Sequence, residues 1–285
     1  MNKEKYTLKS NRLKWELVGA LAIFKKSWQV QKRYPLAFFF YAISPILWLL
    51  PHLIFGSALV GGRYSENLYS LIGYGDVLVY TSLGLVFIAI FSSTMWGTTY
   101  SIRDEEFTGT LENLYITPIS RYSIILGNTL FYLTQAMIGC IIQLTIIGIW
   151  YREAFSWTNF LLSSVFLLIG FILIQGISLP LIAFVFWQKE GWKIILLGES
   201  LILFITPVTF PIVVLPTLLQ NIAKFNPLNY AIEGFRNAFL FGNSGTVQMY
   251  LLLLLLILPF ATTIGITIFH FAEKKLRKKA LLGQY

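Results

Sequence analysis

The densest cluster of chemically capable side chains is Arg103-Asp104-Glu105-Glu106, which separates two long apolar runs. Three adjacent carboxylates are too costly to place in hydrocarbon, so this segment is expected in water. Gly109-Thr110-Leu111-Glu112-Asn113-Leu114-Tyr115 then reads as a short helix. Thr108 or Thr110 is placed to cap it, and Leu111, Leu114 and Tyr115 share one face at i, i+3, i+4. Pro118 ends the helix and biases Thr117 toward an extended conformation. A short helix tethered by a span on each side suits pressing on a soluble partner better than making or breaking bonds. On that reading Leu111, Leu114 and Tyr115 fill an apolar groove, while Asp104, Glu105, Glu106 and Glu112 meet its basic rim.

Inside the apolar runs, polar groups are few and therefore informative. Glu199 lies about seven residues into one run, near 10 Å of helix rise from its end. A carboxyl at that depth must be protonated, paired or wetted. Asn128, Gln135, Gly139 and Gln143 form one helical stripe. Amides are costly against lipid, so the stripe faces either packed protein or a water-filled route, and both readings stand. Glu233 and Arg236, at i, i+3, are placed to pair. They follow Asn226-Pro227, a strong helix breaker. Covalent chemistry has no comparable support. The sequence has no paired carboxylates within the runs, and its two histidines, His52 and His270, lie far apart. The lone cysteine, Cys140, reads as a small buried hydrophobe.

The elements that must position these groups follow from composition. Of 285 residues, 56% are apolar and only 12% charged, about half the charge of a soluble domain. Several runs exceed the roughly 18–20 residues that cross a bilayer, which predicts a polytopic all-α membrane protein. Six spans are expected, at about 35–59, 77–100, 122–150, 160–187, from 192 onward, and 247–271. Residues 1–34 carry nine Lys/Arg against two Glu. The stripe Leu13, Leu17, Leu21, Phe24, Trp28 predicts a helix lying in the membrane interface, with Lys14, Lys25, Lys26, Lys32 and Arg33 facing anionic lipid. The mixed stretch after Pro207, Pro211 and Pro216 is too polar to span and too apolar for a free loop. It predicts re-entrant or interfacial helices before the last span. The chain reads as one domain, with an interfacial segment (1–34), a bundle (35–272) and a basic tail (273–285).

With six spans both termini share a side. That side carries 18 Lys/Arg and the other four, so both termini and the acidic segment are expected in the cytoplasm of a cell-membrane protein. The net charge of +9 is thereby explained by lipid and topology, and no nucleic-acid partner is expected.

The run RDEEFTGTLENLYITPISRYSIILGNTL resembles the loop between the second and third spans of ABC-2 type permeases, the membrane subunits of a class of ATP-driven exporters. Gly109, Thr110, Leu111, Glu112, Thr117, Pro118 and Gly127 carry the match; Asp104 and Asn128 match loosely. The stretch around Asn226, Pro227, Leu228, Tyr230, Glu233 and Arg236 resembles the family's signature before the last span. The resemblance implies that residues 103–118 form a coupling helix docking on an ATPase subunit. It also implies a permease dimer, of two copies or of homologous chains, with two ATPases.

The sequence has no GxxxxGK[ST] phosphate loop. ATP and Mg are therefore expected on a partner, with no cofactor on this chain and no enzymatic activity of its own. The function expected is export of an amphipathic small molecule, drug or lipid; the alternative is an ion-coupled carrier without a nucleotide-binding partner. A cysteine at Ser65 should label from outside intact cells, and one at Ser120 only after permeabilisation. The reverse pattern would overturn the orientation.

Overall fold

A computed structural model describes residues 2–117, 119–150, 156–187 and 191–278. The regular structure of those residues is helical, without strands apart from one isolated bridge between Tyr64 and Asp76. Five helices are long and apolar enough to cross a membrane: α2 (Pro35–Val60), α4 (Val77–Thr99), α7 (Arg121–Trp150), α8 (Trp157–Trp187) and α12 (Gly245–Lys278). Their bounds fall within a few residues of those expected, because Asp76, Arg121 and the polar turns stop the apolar periodicity sharply. A first helix, α1 (Asn2–Gln31), precedes them, and a short helix, α3 (Glu66–Ile72), lies between α2 and α4.

α4 is the hub, packing against α2, α7, α8 and α9 (Gly191–Phe204), and two-thirds of its most apolar window is buried. Asp76 caps its first turn, accepting hydrogen bonds from Leu78 and Val79 backbone N–H groups, and pairs with Arg63 at 2.5 Å. The cap satisfies donors that would otherwise be orphaned at the helix start. Polar ties join α4 to its neighbours: Thr98 meets Thr129 of α7 at 3.1 Å and donates to Gln175 of α8 at 2.9 Å. Gly97 permits close packing of α4 on α7, because a side chain there would strike Tyr132 and Thr129.

The fifth expected span differs. α9 has 14 residues, about 21 Å of rise, short of the roughly 30 Å hydrocarbon thickness. Pro207 is the reason, since it has no N–H to donate and disfavours helix at the residue before it. The chain then passes through a 3-10 turn (Ile212–Val214) into α10 (Thr217–Lys224) and α11 (Pro227–Phe241). α11 is packed among α4, α8 and α12.

Irregular backbone at this position survives only because protein groups satisfy it. Arg236, 1% exposed, donates to the carbonyls of both Pro207 and Val208. It pairs with Glu233 at 3.4 Å and lies 3.7 Å from the Tyr80 ring centroid, a cation–π contact. Asn229 donates to the Ile205 and Ala223 carbonyls at 3.1 and 2.6 Å, and Asn226 donates to the Thr206 hydroxyl at 3.0 Å. Asn226 also caps α11, with Pro227 at its first position. Gly84 of α4 sits where a side chain would strike the Val208 carbonyl and the Arg236 guanidinium. The motif Asn226-Pro227…Glu233…Arg236 is thus a clasp on the broken fifth helix, a larger role than the Glu–Arg pair its spacing predicted.

Arg236→Met would leave two buried carbonyls and Glu233 without their partner, a loss of about 3–5 kcal/mol. Thermal denaturation in detergent should show a large fall in melting temperature. Arg236→Lys should restore only part of it, because an ammonium lacks the planar fork that serves two carbonyls and stacks on Tyr80. Unchanged melting of Arg236→Met would remove the clasp.

Candidate functional site

Two regions gather the residues singled out from sequence: the segment joining α4 to α7, and a cavity between α2, α4, α7 and α9.

The joining segment is a pair of short helices, α5 (Ser101–Phe107) and α6 (Leu111–Ile116), bent at Thr108-Gly109. Gly109 sits at φ +66°, the left-handed conformation that glycine adopts without strain. Thr110 stands at the α6 N-cap, yet its hydroxyl is turned to the Glu105 carboxylate instead of a helix N–H. The carboxylates are folded inward, against the expectation of a solvated island. Glu105, 4% exposed, is ion-paired with Lys26 of α1. Asp104 accepts from the Tyr132 hydroxyl at 3.0 Å, and Arg103 pairs with Glu106 at 2.9 Å while lying over the Phe107 ring. Burial pushes the Asp104 carboxyl up to about 6, with the Tyr132 hydrogen bond acting in the opposite direction. Protein partners here take the place of water around the acids.

Leu111 is also turned inward. It is buried in a small core with Ile23, Ile102, Ile124, Ile125 and Phe269, against which Leu114 packs. This corrects the picture of Leu111 as an outward anchor and of Asp104 and Glu105 as rim charges: the apolar face of α6 closes onto the protein's own spans. What faces outward is Phe107, Glu112, Asn113 and Ile116, with Phe107 67% and Ile116 84% exposed. Pro118 and the side chain of Tyr115 lie outside the described residues.

The amphipathic reading of α1 is amended in the same way. Among its described residues Gly19, Ala20 and Ile23 are buried, and α1 packs on α7, while Leu17 and Leu21 remain exposed. Lys26 turns to Glu105 rather than outward. Ser123 donates to the Glu16 carbonyl at 2.8 Å, and Gly127 approaches the Ala20 backbone. α1 is therefore bolted to the base of α7 and, through Lys26, to the α5–α6 bend.

The cavity has a volume of about 620 Å³ and extends along α4 from Leu85 to Tyr100, about 22 Å of rise. Its wall is mainly aromatic and aliphatic: Tyr41 and Trp48 from α2, Leu85, Ile88 and Trp96 from α4, Tyr100 just after it, Tyr132 from α7 and Leu203 from α9. The polar groups on it are Ser44, His52, Ser92, Ser93, Gln135 and Glu199. Glu199 accepts from the Ser92 hydroxyl on one oxygen and from Trp96 Nε1–H at 3.0 Å on the other. Gln135 is buried, and its Nε2 has no hydrogen-bond partner among the described residues.

The stripe of amides therefore divides. Gln135 borders the cavity. Asn128 instead ties α1 to α5, accepting from Ser27 and donating to the Ser101 carbonyl, both at 3.0 Å. Gln143 donates to the Ser82 carbonyl at 3.0 Å and packs α7 on α4. The pairings of Glu199 with Ser92 and Trp96, of Asp104 with Tyr132 and of Glu105 with Lys26 were not expected. Ser92 and Trp96 sit i, i+4 on one helix, the only local hint; the remaining pairings join distant parts of the chain.

A double-mutant cycle tests the Lys26–Glu105 tie. Lys26→Met leaves a buried carboxylate unpaired and should cost more melting temperature than Glu105→Gln. The double variant should recover part of the loss, with a coupling of about 1–2 kcal/mol, moderated because Lys26 is one-third exposed. Simple additivity would show the pair to be inert.

Comparison with known proteins bears on the whole assembly of spans, clasp and bend. Residues 19–240 match the model of the ABC-2 type transporter family. A protein of Porphyra purpurea that carries the name transport permease ycf38 is 30% identical over 205 residues, 68% of this chain and 64% of the relative. The Cyanophora paradoxa protein of the same name is 28% identical over 221 residues, 75% of this chain and 70% of that protein. The chain thus spans just under two-thirds of the Porphyra relative. The matched segment takes in the α1–α7 junction, the α5–α6 bend, the cavity and most of the Arg236 clasp, so this multi-pass membrane protein is a member of the ABC-2 type transporter family.

Proposed function

We propose that this chain is the membrane subunit of an ATP-driven exporter, moving an amphipathic small molecule, drug or lipid-like substrate out of the cytoplasm. A separate ATPase subunit binds ATP and Mg and hydrolyses the nucleotide. The observation that carries the reading is the α5–α6 bend. It is fixed at one end to α4, the most buried span, and at the other to α7, yet it presents Phe107 and Ile116 to the outside. Exposed large apolar groups on a rigidly rooted bend are suited to a groove on a soluble subunit. Movement of that groove would be passed directly to α4 and α7, two walls of the cavity. Among the proposed coupling residues 103–118, Phe107 and Ile116 with Glu112 take the outward role. Arg103, Asp104, Glu105, Gly109, Thr110, Leu111 and Leu114 keep the bend stiff.

On this reading α9 with its clasp serves as the fifth of six spans, the whole chain forms one transmembrane domain, and both termini lie in the cytoplasm. The location is the cell membrane. A second permease copy, or a homologue, completes the assembly, and the exposed Leu17–Leu21 face of α1 rests on lipid.

Glu199 favours a second reading, an ion-coupled carrier, because carboxyls within membranes often relay protons. The two readings separate on energy source: vesicles containing the chain alone, given a pH gradient, would transport only on the second.

The coupling role is tested by co-expressing the chain with its ATPase and replacing Phe107 and Ile116 by Ala together. Copurification should weaken by more than about tenfold, or hydrolysis should continue without transport, while melting stays near wild type. Leu111→Ala should instead lower the melting temperature. Full retention of binding and transport in the Phe107/Ile116 double variant would overturn the assignment.

A further inference from the structure

Resting on the transport reading, we infer that the cavity selects cationic amphiphiles, with Glu199 as the group that recognises the positive charge. Glu199 is the one carboxylate among the described lining residues, and neither Lys nor Arg lines the cavity. No cation among the described residues pairs with it. Its two oxygens are nonetheless arranged as acceptors, one toward the Ser92 hydroxyl and one toward Trp96 Nε1–H. Two neutral donors hold the carboxylate in place without cancelling its charge, so the site keeps a net attraction for a cation.

The surrounding wall strengthens the preference. Trp96, which donates to Glu199, also borders the cavity, as do Trp48, Tyr41, Tyr100 and Tyr132. Faces of Trp and Tyr attract cations and accept apolar bodies equally well, so an ammonium or phosphonium with aromatic or alkyl substituents meets complementary surface throughout. A cation desolvated at this depth would be costly in an apolar cavity without a counter-charge. A lipophilic anion would meet Glu199 with like charge, offset by hydrogen-bond donors on the wall such as His52, Ser93 and Gln135 and by no Lys or Arg among the described lining residues. Gln135 Nε2, buried and without a hydrogen-bond partner among the described residues, supplies a donor for an acceptor atom on the cargo. The volume, about 620 Å³, lies in the range of pockets for drug-sized ligands.

The probe pair tetraphenylphosphonium and tetraphenylborate tests this directly, because the two ions share shape and differ in sign. Equilibrium dialysis on the full chain in lipid nanodiscs should show tetraphenylphosphonium binding at least about tenfold tighter than tetraphenylborate after correction for empty nanodiscs. Glu199→Gln should weaken the cation by about tenfold and leave the anion unchanged or tighter. Ser93→Phe, which projects a ring into the cavity beside Ser92, should weaken binding of the cation. Equal affinity of the two ions for the wild-type chain would overturn the inference, even if Glu199→Gln proved unfolded; so would undiminished cation binding by a folded Glu199→Gln. Dialysis needs neither ATP nor the ATPase, so ATP-driven export of an uncharged amphiphile by a chain without cation preference would leave the transport reading standing and remove this one.

Discussion

The hold of the Arg236 guanidinium on the Pro207 and Val208 carbonyls is the constraint on which the rest of the molecule depends. Helix α9 stops after 14 residues, and backbone groups left open at that depth have no water to satisfy them. Arg236 and Asn229 supply the missing donors from α11, and Tyr80 and Gly84 shape α4 to receive Arg236. Fixing the end of α9 against α4 also fixes Glu199, further back on α9, opposite Ser92 and Trp96. Without the clasp the cavity loses the wall that carries its charge. A broken helix thus exposes a polar site inside the protein while its own polar backbone stays covered.

The far end of the bundle is built on a second pairing of charge with burial. Lys26 reaches from α1 to Glu105, and Asn128 ties α1 to the start of α5, so that three elements meet at the base of α7. The acids there lend rigidity more than charge to the outside. That division leaves the outward surface of the bend to Phe107, Glu112 and Ile116, and it explains why a segment rich in carboxylates presents an apolar tip.

Much of this was legible in the sequence and some was not, for physical reasons. Apolar runs bounded by polar turns located the five long apolar helices closely, because the cost of polar groups in hydrocarbon leaves little choice of boundary. Pro207 and Asn226-Pro227 marked the break and the cap, both local effects. Periodicity also placed Leu111 and Leu114 on one face of α6. It could not say whether that face meets a partner or the protein itself, since burial within the chain and burial against another subunit select the same residues. The inward turn of Glu105 was hidden for a related reason: its partner, Lys26, is 79 positions away and looked like one of many cations bound for lipid. The amide stripe had two open readings and used both, packing at Asn128 and Gln143 and a cavity border at Gln135.

In the proposed mechanism, nucleotide on a partner moves the α5–α6 bend, and the bend moves the cavity walls. Electron–electron distance measurements between nitroxides at Asn113 on the bend and Ser200 on α9, in a Cys140→Ala background reconstituted with the ATPase, address it most directly. The distance distribution should shift when ATP binds and return after hydrolysis. An identical distribution in the presence and absence of ATP, in a complex that still hydrolyses it, would contradict the account.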